Sequence, residues 1–480
     1  MQTNLKNYVN GKFIESADSE RMENINPATG ELISTIPLSK KEDVDLAVAA
    51  AKSAQKGWAE LPIEERANYL EKIANELEAN MDLIAELESK DTGKPITLAR
   101  NVDATRSVAN FRFFAEAIKT LPAESHEMPD AINYTLRKAI GTVGLITPWN
   151  LPLYLLSWKV APALIMGNTV IAKPSELTPM TADYLAKTIH KIGLPAGVFN
   201  LIHGVGKDAG QAIVENPSIG AISFTGGTET GKQVARVSAP LFKKISLELG
   251  GKNSSIIFSD CDLDKTIAGV ARAAFLNNGQ VCLAGSRILI EDSIFDRFVE
   301  LFTQKVSEMN IGDPMQPGTE LGSLVSKQHL DKVRQYIKLG LEEGGVILYG
   351  GKVPKMPDAL KNGAFIEPTI ISNVETNSRI STEEIFGPIV TLHSFNDEQT
   401  AISIANNVDY GLAASVWTQD IEKAERISSK LETGMVWINT WLHRDLRVPF
   451  GGVKSSGVGR EGGRYSLEFF SETQNICIKY

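Results

Sequence analysis

The amino-acid sequence predicts an α/β fold with two regions of parallel sheet. The first observation is a rhythm: over residues 141–239, short runs of branched apolar residues alternate with helical stretches. The second is its recurrence after Gly250, to about Asn439. Strands separated by helices pair in parallel and carry helices on both faces. Composition agrees: of 480 residues, 43% are hydrophobic, 7% aromatic and 22% charged, which supports a packed core and excludes a disordered chain.

The elements follow in chain order. Ser39 and Glu42 have the spacing of a capping box and predict a helix over the Ala-rich stretch 44–58. Helical patterns continue over 63–80, 81–89 and 97–120, so the first third reads as mostly helical. Pro122 and Pro129 bound an extended segment, and 132–136 alternates like a strand. Strands are predicted at 143–146, 169–172, 198–202 and 221–224, with helices at 180–192, 207–215 and 231–239. A strand at 255–258 and a helix at 263–277 open the second region, and 467–480 reads as a strand-like tail. The best domain boundary is Gly250-Gly251.

Charge and cysteine usage narrow the function classes. There are 49 Lys and Arg against 58 Asp and Glu, a net charge of −9, and phosphate binding needs a basic face, so no nucleic-acid partner is expected. The longest apolar stretch, 151–167, is interrupted by Pro152, Lys159 and Pro162, so it reads as buried and not as membrane-spanning. No basic region leads into an apolar core at the start, so no signal peptide and a cytoplasmic location are expected. Three cysteines, Cys261, Cys282 and Cys477, are too few and too scattered for a disulfide framework or a metal site.

Several residues could carry chemistry. Cys282 lies in an uncharged turn where a helical pattern ends at Gly279; a lone cysteine there is either a nucleophile or a small buried hydrophobe. Cys261 lies between Asp260 and Asp262, which raise a thiol pKa and blunt its reactivity. Glu248, among apolar neighbours at a strand end, is a candidate base or a paired surface charge. Asn150 follows a strand and could aim its amide at a developing oxyanion, or belong to a structural turn. Gly226-Gly227-Thr228-Glu229-Thr230-Gly231 follows a strand and opens a helix, an arrangement that receives a pyrophosphate on free amides. Gly204 to Gly210 misses the usual dinucleotide spacing by one residue. Lys173 and Glu176 supply a cation and a carboxylate of the kind that could hold an adenosine ribose.

Taken together these features resemble the aldehyde dehydrogenase superfamily. The resemblance is carried, in order, by Thr147-Pro148-Trp149-Asn150, Lys173-Pro174-Ser175-Glu176, Phe224-Thr225-Gly226, Leu247-Glu248-Leu249-Gly250-Gly251-Lys252, Gly279-Gln280-Val281-Cys282, Glu383-Glu384-Ile385-Phe386-Gly387-Pro388 and Pro449-Phe450-Gly451-Gly452. It implies Cys282 as nucleophile, Asn150 and the Cys282 amide as oxyanion donors, and Glu248 as the base that hydrolyses a thioester. It implies NAD as cofactor, touching Trp149, Lys173, Glu176, Gly226, Gly227, Thr228, Gly231, Leu249, Glu384 and Phe386, with no metal. The Glu176 carboxylate favours NAD over NADP. Where the family commonly has Ser after Phe-Thr-Gly, this chain has Gly227, which removes a hydroxyl near the pyrophosphate. Lys159 and Glu472 match positions sometimes given a proton-relay role, and a structural ion pair is the competing reading.

The resemblance also implies an organisation and a substrate class. A Rossmann-like NAD-binding domain would take 1–121, 142–249 and part of 441–465; a catalytic α/β domain 250–440; and a small β oligomerisation element 122–141 and 466–480, giving a homodimer or homotetramer. Arg112 and Arg444 lie in the two regions from which this family draws its substrate entrance, and Arg favours bidentate carboxylate binding. Salt bridges to Glu116 or Asp445 are the alternative. The wording of these segments is similar to the 2-aminomuconic and 2-hydroxymuconic semialdehyde dehydrogenases. Broad-range aliphatic, aromatic or retinal-type enzymes are the runner-up.

Overall fold

The apolar runs beyond residue 141 become the centre of an eight-stranded sheet. In the computed structural model, which describes residues 3–480, its order is Gly457–Val458, Lys244–Glu248, Ile219–Thr225, Thr142–Ile146, Thr169–Lys173, Phe199–Leu201, Asn7–Val9 and Lys12–Ile14. The five strands between residues 142 and 248 are parallel, and the three outer ones run antiparallel to their inner neighbours. Thr142–Ile146 pairs with Ile219–Thr225 although two other strands lie between them in sequence. The sheet therefore reverses its direction of growth at that pair. An open parallel sheet receives ligands in the crevice beyond the C-terminal strand ends at such a point. Here those ends lead into Trp149-Asn150 and Gly226-Gly227.

A second sheet holds Val346–Tyr349, Thr369–Ser372, Ile389–Phe395, Arg287–Glu291, Ser254–Ile257, Ala413–Trp417 and Met435–Ile438 in that order, parallel except for the edge strand Val346–Tyr349. A third, antiparallel sheet joins Ser125–Met128, Ala131–Ala139 and Ser471–Lys479.

The first third departs from the expectation of mostly helix. Five short strands precede the first helix, among them Asn7–Val9, Arg21–Ile25 and Leu32–Pro37. Asn7–Val9 is too short to show a period, and its Tyr8 pairs with Leu201 on a neighbouring strand far off in the sequence. The first helix is Lys41–Glu60, and Ser39 does not cap it. The Ser39 hydroxyl accepts from Asn7 Nδ2 at 2.7 Å, while the Asp43 carboxylate accepts from the Lys40 amide at 2.9 Å, so the cap sits one residue later. The stretch 97–120 contains a π-helical turn, Ala99–Ala104, before Thr105–Ala117. A helix, Gly463–Phe469, takes the start of the expected tail strand.

The apolar stretch 151–167 forms the helix Pro152–Ile165, buried on every side, with Lys159 fully enclosed. Among the described residues no helix is long and apolar enough to cross a membrane. Phe111 and Phe114 of Thr105–Ala117 pack against this helix, with Phe114 and Trp158 rings 5.5 Å apart. Each buried phenyl contributes about 1.5–3 kcal/mol, which holds the two helices together.

Candidate active site

Cys282 is presented by an unusual loop. The helix Leu263–Phe275 stops two residues earlier than expected, and Asn277, Asn278 and Gly279 follow with φ of 53°, 55° and 66°. Asn is among the few side chains that tolerate this left-handed region. Gly279 is demanded by space as well, since a Cβ there would lie 2.4 Å from the Gly387 carbonyl oxygen. Asn278 Nδ2 donates to the Gly322 and Ser323 carbonyls at 3.0 and 3.1 Å, and Gln280 Oε1 accepts from the Val325 amide at 3.0 Å. Asn253 Nδ2 holds the Cys282 carbonyl at 2.7 Å. The Cys282 amide has no protein acceptor among the described residues.

Cys282, Asn150 and Glu248 line one cavity of about 640 Å³. Asn150 Nδ2 donates to the Gln280 carbonyl at 2.9 Å, which places this amide beside the Cys282 loop. An amide group with two N–H bonds keeps one for a ligand. Glu248 ends the strand Lys244–Glu248, is 4% exposed, and neither carboxylate oxygen has a hydrogen-bond partner among the described residues. Burial, and then the nearby Glu461 carboxylate, push its pKa well above the usual carboxylate range. Burial, Glu384 and Glu248 push the Cys282 thiol up to about 12, while Arg444 opposes them. A thiol so protonated could serve as a nucleophile only with a base in reach, and a carboxylate with raised pKa is a suitable one.

Lys159 pairs with Glu461, at 2.6 Å, and not with Glu472, which lies 3.6 Å from Lys244. Ser223 Oγ also donates to Glu461, at 3.1 Å. Glu472 sits on the exposed sheet and is not among the residues lining the cavity.

The same cavity runs into the crevice at the sheet reversal. Its walls there include Trp149, Lys173, Glu176, Gly226, Gly227 and Leu249. The amides of Thr228, Glu229 and Thr230 precede the first intrahelical bond, from Gly231 to Gly227, and no side chain caps them. They are free donors at a positive helix end, the requirement of a pyrophosphate. Lys173 Nζ bonds the Pro174 carbonyl at 2.9 Å and Glu176 at 3.2 Å, leaving the carboxylate at the cavity wall. Thr228 and Gly231 do not line the cavity. Gly231 is a packing position: a Cβ there would lie 2.5 Å from Leu249 Cδ2.

On the opposite wall, Glu384 accepts from the Gly251 amide at 3.0 Å and lies so close to Gly250 that a Cβ there would be 2.1 Å from its carboxylate. Phe386 has φ of 63° and packs edge-on against Trp149, ring centres 5.2 Å apart. His329, which the sequence did not single out, donates from Nε2 to the Phe386 carbonyl at 2.7 Å. Burial lowers its pKa to about 4, so it holds Phe386 as a neutral ring. Nothing in its amphipathic helix, Lys327–Glu342, marks it beforehand.

The two expected substrate arginines part company. Arg112 does not reach the cavity. It binds Glu78 in a two-pronged contact, at 2.8 and 2.5 Å, and Asn75 at 3.0 Å, joining Thr105–Ala117 to Ile63–Glu78. Arg444 does line the cavity; it donates to the Tyr154 hydroxyl and lies 4.5 and 4.2 Å from the Trp158 and Phe450 ring centres. Its Nε and Nη2 are buried without a partner among the described residues. A different arginine, Arg106, lines the cavity with Leu98 and Val102, one turn apart on the same helical face. That spacing was the available signal.

Cys282, a carboxylate without a partner and an amide thus share one cavity that opens to the crevice at the sheet reversal. Comparisons with known proteins agree. Residues 13–476 match the model of the aldehyde dehydrogenase family. The chain is 45% identical to a 2-hydroxymuconic semialdehyde dehydrogenase of Pseudomonas sp. (strain CF600), over 99% of both chains. It is 44% identical to the 2-aminomuconic semialdehyde dehydrogenase of Homo sapiens, over 99% of this chain and 98% of that one. The fold superposes with a TM-score of 0.96 on betaine aldehyde dehydrogenase from Staphylococcus aureus in complex with NAD+, at 38% identity, covering 99% of this chain and 95% of that one. An aldehyde dehydrogenase from Bacillus cereus in complex with NAD+ gives the same score and identity, covering 99% and 96%. The match of fold, site and sequence along almost the whole length means that this chain is an enzyme of the aldehyde dehydrogenase family.

Proposed function

We propose that the protein oxidises an aldehyde carrying a distal carboxylate, a semialdehyde of the 2-aminomuconate or 2-hydroxymuconate type, to the diacid, with NAD as hydride acceptor. The observation that carries this reading is the pair Arg106 and Arg444, two guanidinium groups on the wall of the Cys282 cavity with no acidic partner among the described residues. Arg444 Nε and Nη2 are buried without a partner, and unpaired buried donors of this kind await an anion; Arg106 adds a half-buried cation to the same wall. The names of the relatives at 42–45% identity point to the same substrates.

The residues divide the work. Glu248 takes the Cys282 proton, and the thiolate adds to the aldehyde carbon. Asn150 Nδ2 and the Cys282 amide hold the oxyanion, worth about 3 kcal/mol per donor in comparable sites. Bound NAD supplies the acceptor for the hydride that leaves this carbon. Glu248 releases that first proton to solvent and then deprotonates a water, whose attack on the thioester frees the acid; the departing Cys282 thiolate regains a proton from Glu248. Lys173 and Glu176 would hold the adenosine ribose, the amides of 228–230 the pyrophosphate, and Glu384, Phe386 and Trp149 the nicotinamide end.

The domain division given above fits this reading: 1–121 with 142–249 for cofactor, 250–440 for the nucleophile, and the third sheet for assembly. Exposed Met128, Leu136 and Ile478 on that sheet, and its open edge Ser471–Lys479, support pairing with a second copy. Free thiols fit a reducing, cytoplasmic location. The test is NADH formation over aldehydes with and without a distal carboxylate. Preference for the acids is expected, and equal turnover would return the reading to a broad-range enzyme.

A further inference from the structure

Behind Asn150 lies a charged cluster that the reaction as described does not use. Lys94, Glu88 and Asp103 have side chains 0% exposed, all three. Lys94 Nζ donates to Asp103 Oδ2 at 2.9 Å and lies 3.8 Å from Glu88 Oε1. Its remaining contact is with the main-chain carbonyl of Asn150, at 2.8 Å. Asn277 Nδ2, from the nucleophile loop, reaches the same carbonyl at 3.3 Å. One backbone oxygen is therefore held by two donors, one from the turn after Met81–Thr92 and one from the Cys282 loop.

The cluster is built to stay where it is. Burial and the neighbouring Asp103 push the Glu88 pKa well above the usual carboxylate range, which leaves Asp103 as the closer carboxylate partner of Lys94. Gly93 ends the helix Met81–Thr92 at φ of 76°, and its carbonyl accepts from the Ser323 amide at 3.0 Å. Ser323 in turn accepts from Asn278. The Lys94 turn and the Cys282 loop are thus tied at a second point. A buried ammonium is expensive to bury and useful where a dipole must not move.

We infer that Lys94 and Asn277 act as positioning residues, clamping the Asn150 backbone so that its side-chain amide stays aimed at the oxyanion on Cys282. The inference rests on the proposed role of Asn150. Neither residue touches substrate; both act through the residue whose carbonyl they hold.

The experiment is a double-mutant cycle on the intact enzyme, reading kcat and KM for aldehyde oxidation, the rate of p-nitrophenyl acetate hydrolysis without NAD, and the dissociation constant of NAD. Asn150→Ala is the reference and should lower both rates by about 100-fold or more. Lys94→Met should lower kcat by about ten- to 100-fold, since a misplacement near 1 Å has that effect. Asn277→Gly, which keeps the left-handed backbone, should lower it by a smaller factor. NAD affinity should stay within about twofold. In the Asn150→Ala background both changes should lose their effect. Losses that multiply, or wild-type rates in the single variants, would overturn the inference while leaving Asn150 in its role. No effect of Asn150→Ala itself would overturn the role instead. If Lys94→Met does not fold, Asn277→Gly decides, because it leaves no buried charge unpaired.

Discussion

Asp445 is bound by Arg447, at 2.6 and 2.9 Å, and not by the adjacent Arg444. The arginine nearest in sequence to a neutralising partner is therefore left unneutralised, and it is the one that lines the cavity. Replacing Arg444 or Arg106 by Ala should selectively weaken use of acid semialdehydes. A charge-assisted contact is worth about 1.5–3 kcal/mol, so a ten- to hundredfold drop in kcat/KM is expected. Uncharged aliphatic aldehydes should be almost unaffected. Steady-state kinetics on both substrate types decide, and equal losses would make the arginines structural.

Arg112 should behave differently. Its contact with Glu78 joins side chains that are 38% and 51% exposed, and such surface pairs contribute about 0–1 kcal/mol. Arg112→Ala should lower the melting temperature slightly and leave the ratio of acid to neutral aldehyde turnover unchanged. A selective loss on acid substrates would restore it to the site.

The contrast between these arginines shows what the sequence could and could not reveal. Arg106 continues the spacing of Leu98 and Val102, whereas Arg112 lies six positions further, about 240° around a helix. One stripe reaches the cavity and the other meets a neighbouring helix, a fact that periodicity states but proximity in sequence obscures. The parallel sheet was legible because each strand, such as Thr142–Ile146, is a continuous run of buried residues. Asn7–Val9 was not, because three residues carry no pattern and their partner lies about 190 positions away. Nothing local to Lys94 announces that the carbonyl of residue 150 will meet it. Lys159 and Glu472 resemble positions sometimes given a proton-relay role, yet folding pairs Lys159 with Glu461 and Glu472 with Lys244.

The two halves of the chemistry should separate by mutation. Cys282→Ala should abolish oxidation and leave NAD binding intact, because the crevice is built from other residues. Glu248→Gln should permit the first burst of NADH and then stall, with a thioester on Cys282 visible by mass spectrometry. Full turnover in either variant would remove the assigned role.

The pKa of Glu248 is raised by burial and then by Glu461. Its base form therefore appears only above the ordinary carboxylate range, near 4.3. Where deacylation limits, kcat should climb with pH through that raised value. Glu461→Gln removes the like charge and leaves Lys159 in place, so the pKa should fall and the rising limb should move to lower pH. A profile that stays put, measured between about pH 5 and 9, would show that the two carboxyls are not coupled.

Cofactor choice should follow Glu176. Its carboxylate can accept from ribose hydroxyls, while a 2′-phosphate would face like charge, only partly offset by Lys173 at 3.2 Å. NAD should show the higher kcat/KM, and Glu176→Gln should narrow the gap with NADP. A wild-type preference for NADP would overturn this assignment.

Gly227 offers the gentlest test of the pyrophosphate site. It occupies the N-cap of Thr228–Ser238 with φ −70° and ψ 148°, a conformation open to any residue, and a Cβ there would meet nothing within 4 Å. Neither backbone nor space therefore requires glycine. Serine is a favoured N-cap residue, and exchanging glycine for it at such a position is worth a few tenths of a kcal/mol, about a small fold-change in stability. Gly227→Ser should fold normally and add a hydroxyl beside the free amides of 228–230. If the pyrophosphate lies there, NAD should bind about two- to tenfold more tightly, in keeping with one neutral hydrogen bond of about 0.5–1.5 kcal/mol. The aldehyde KM should not change. Titration of NADH fluorescence measures the first quantity and steady-state kinetics the second. Weaker cofactor binding in a fully folded variant would mean that the hydroxyl caps the helix for itself, competing for the amides that the phosphates need.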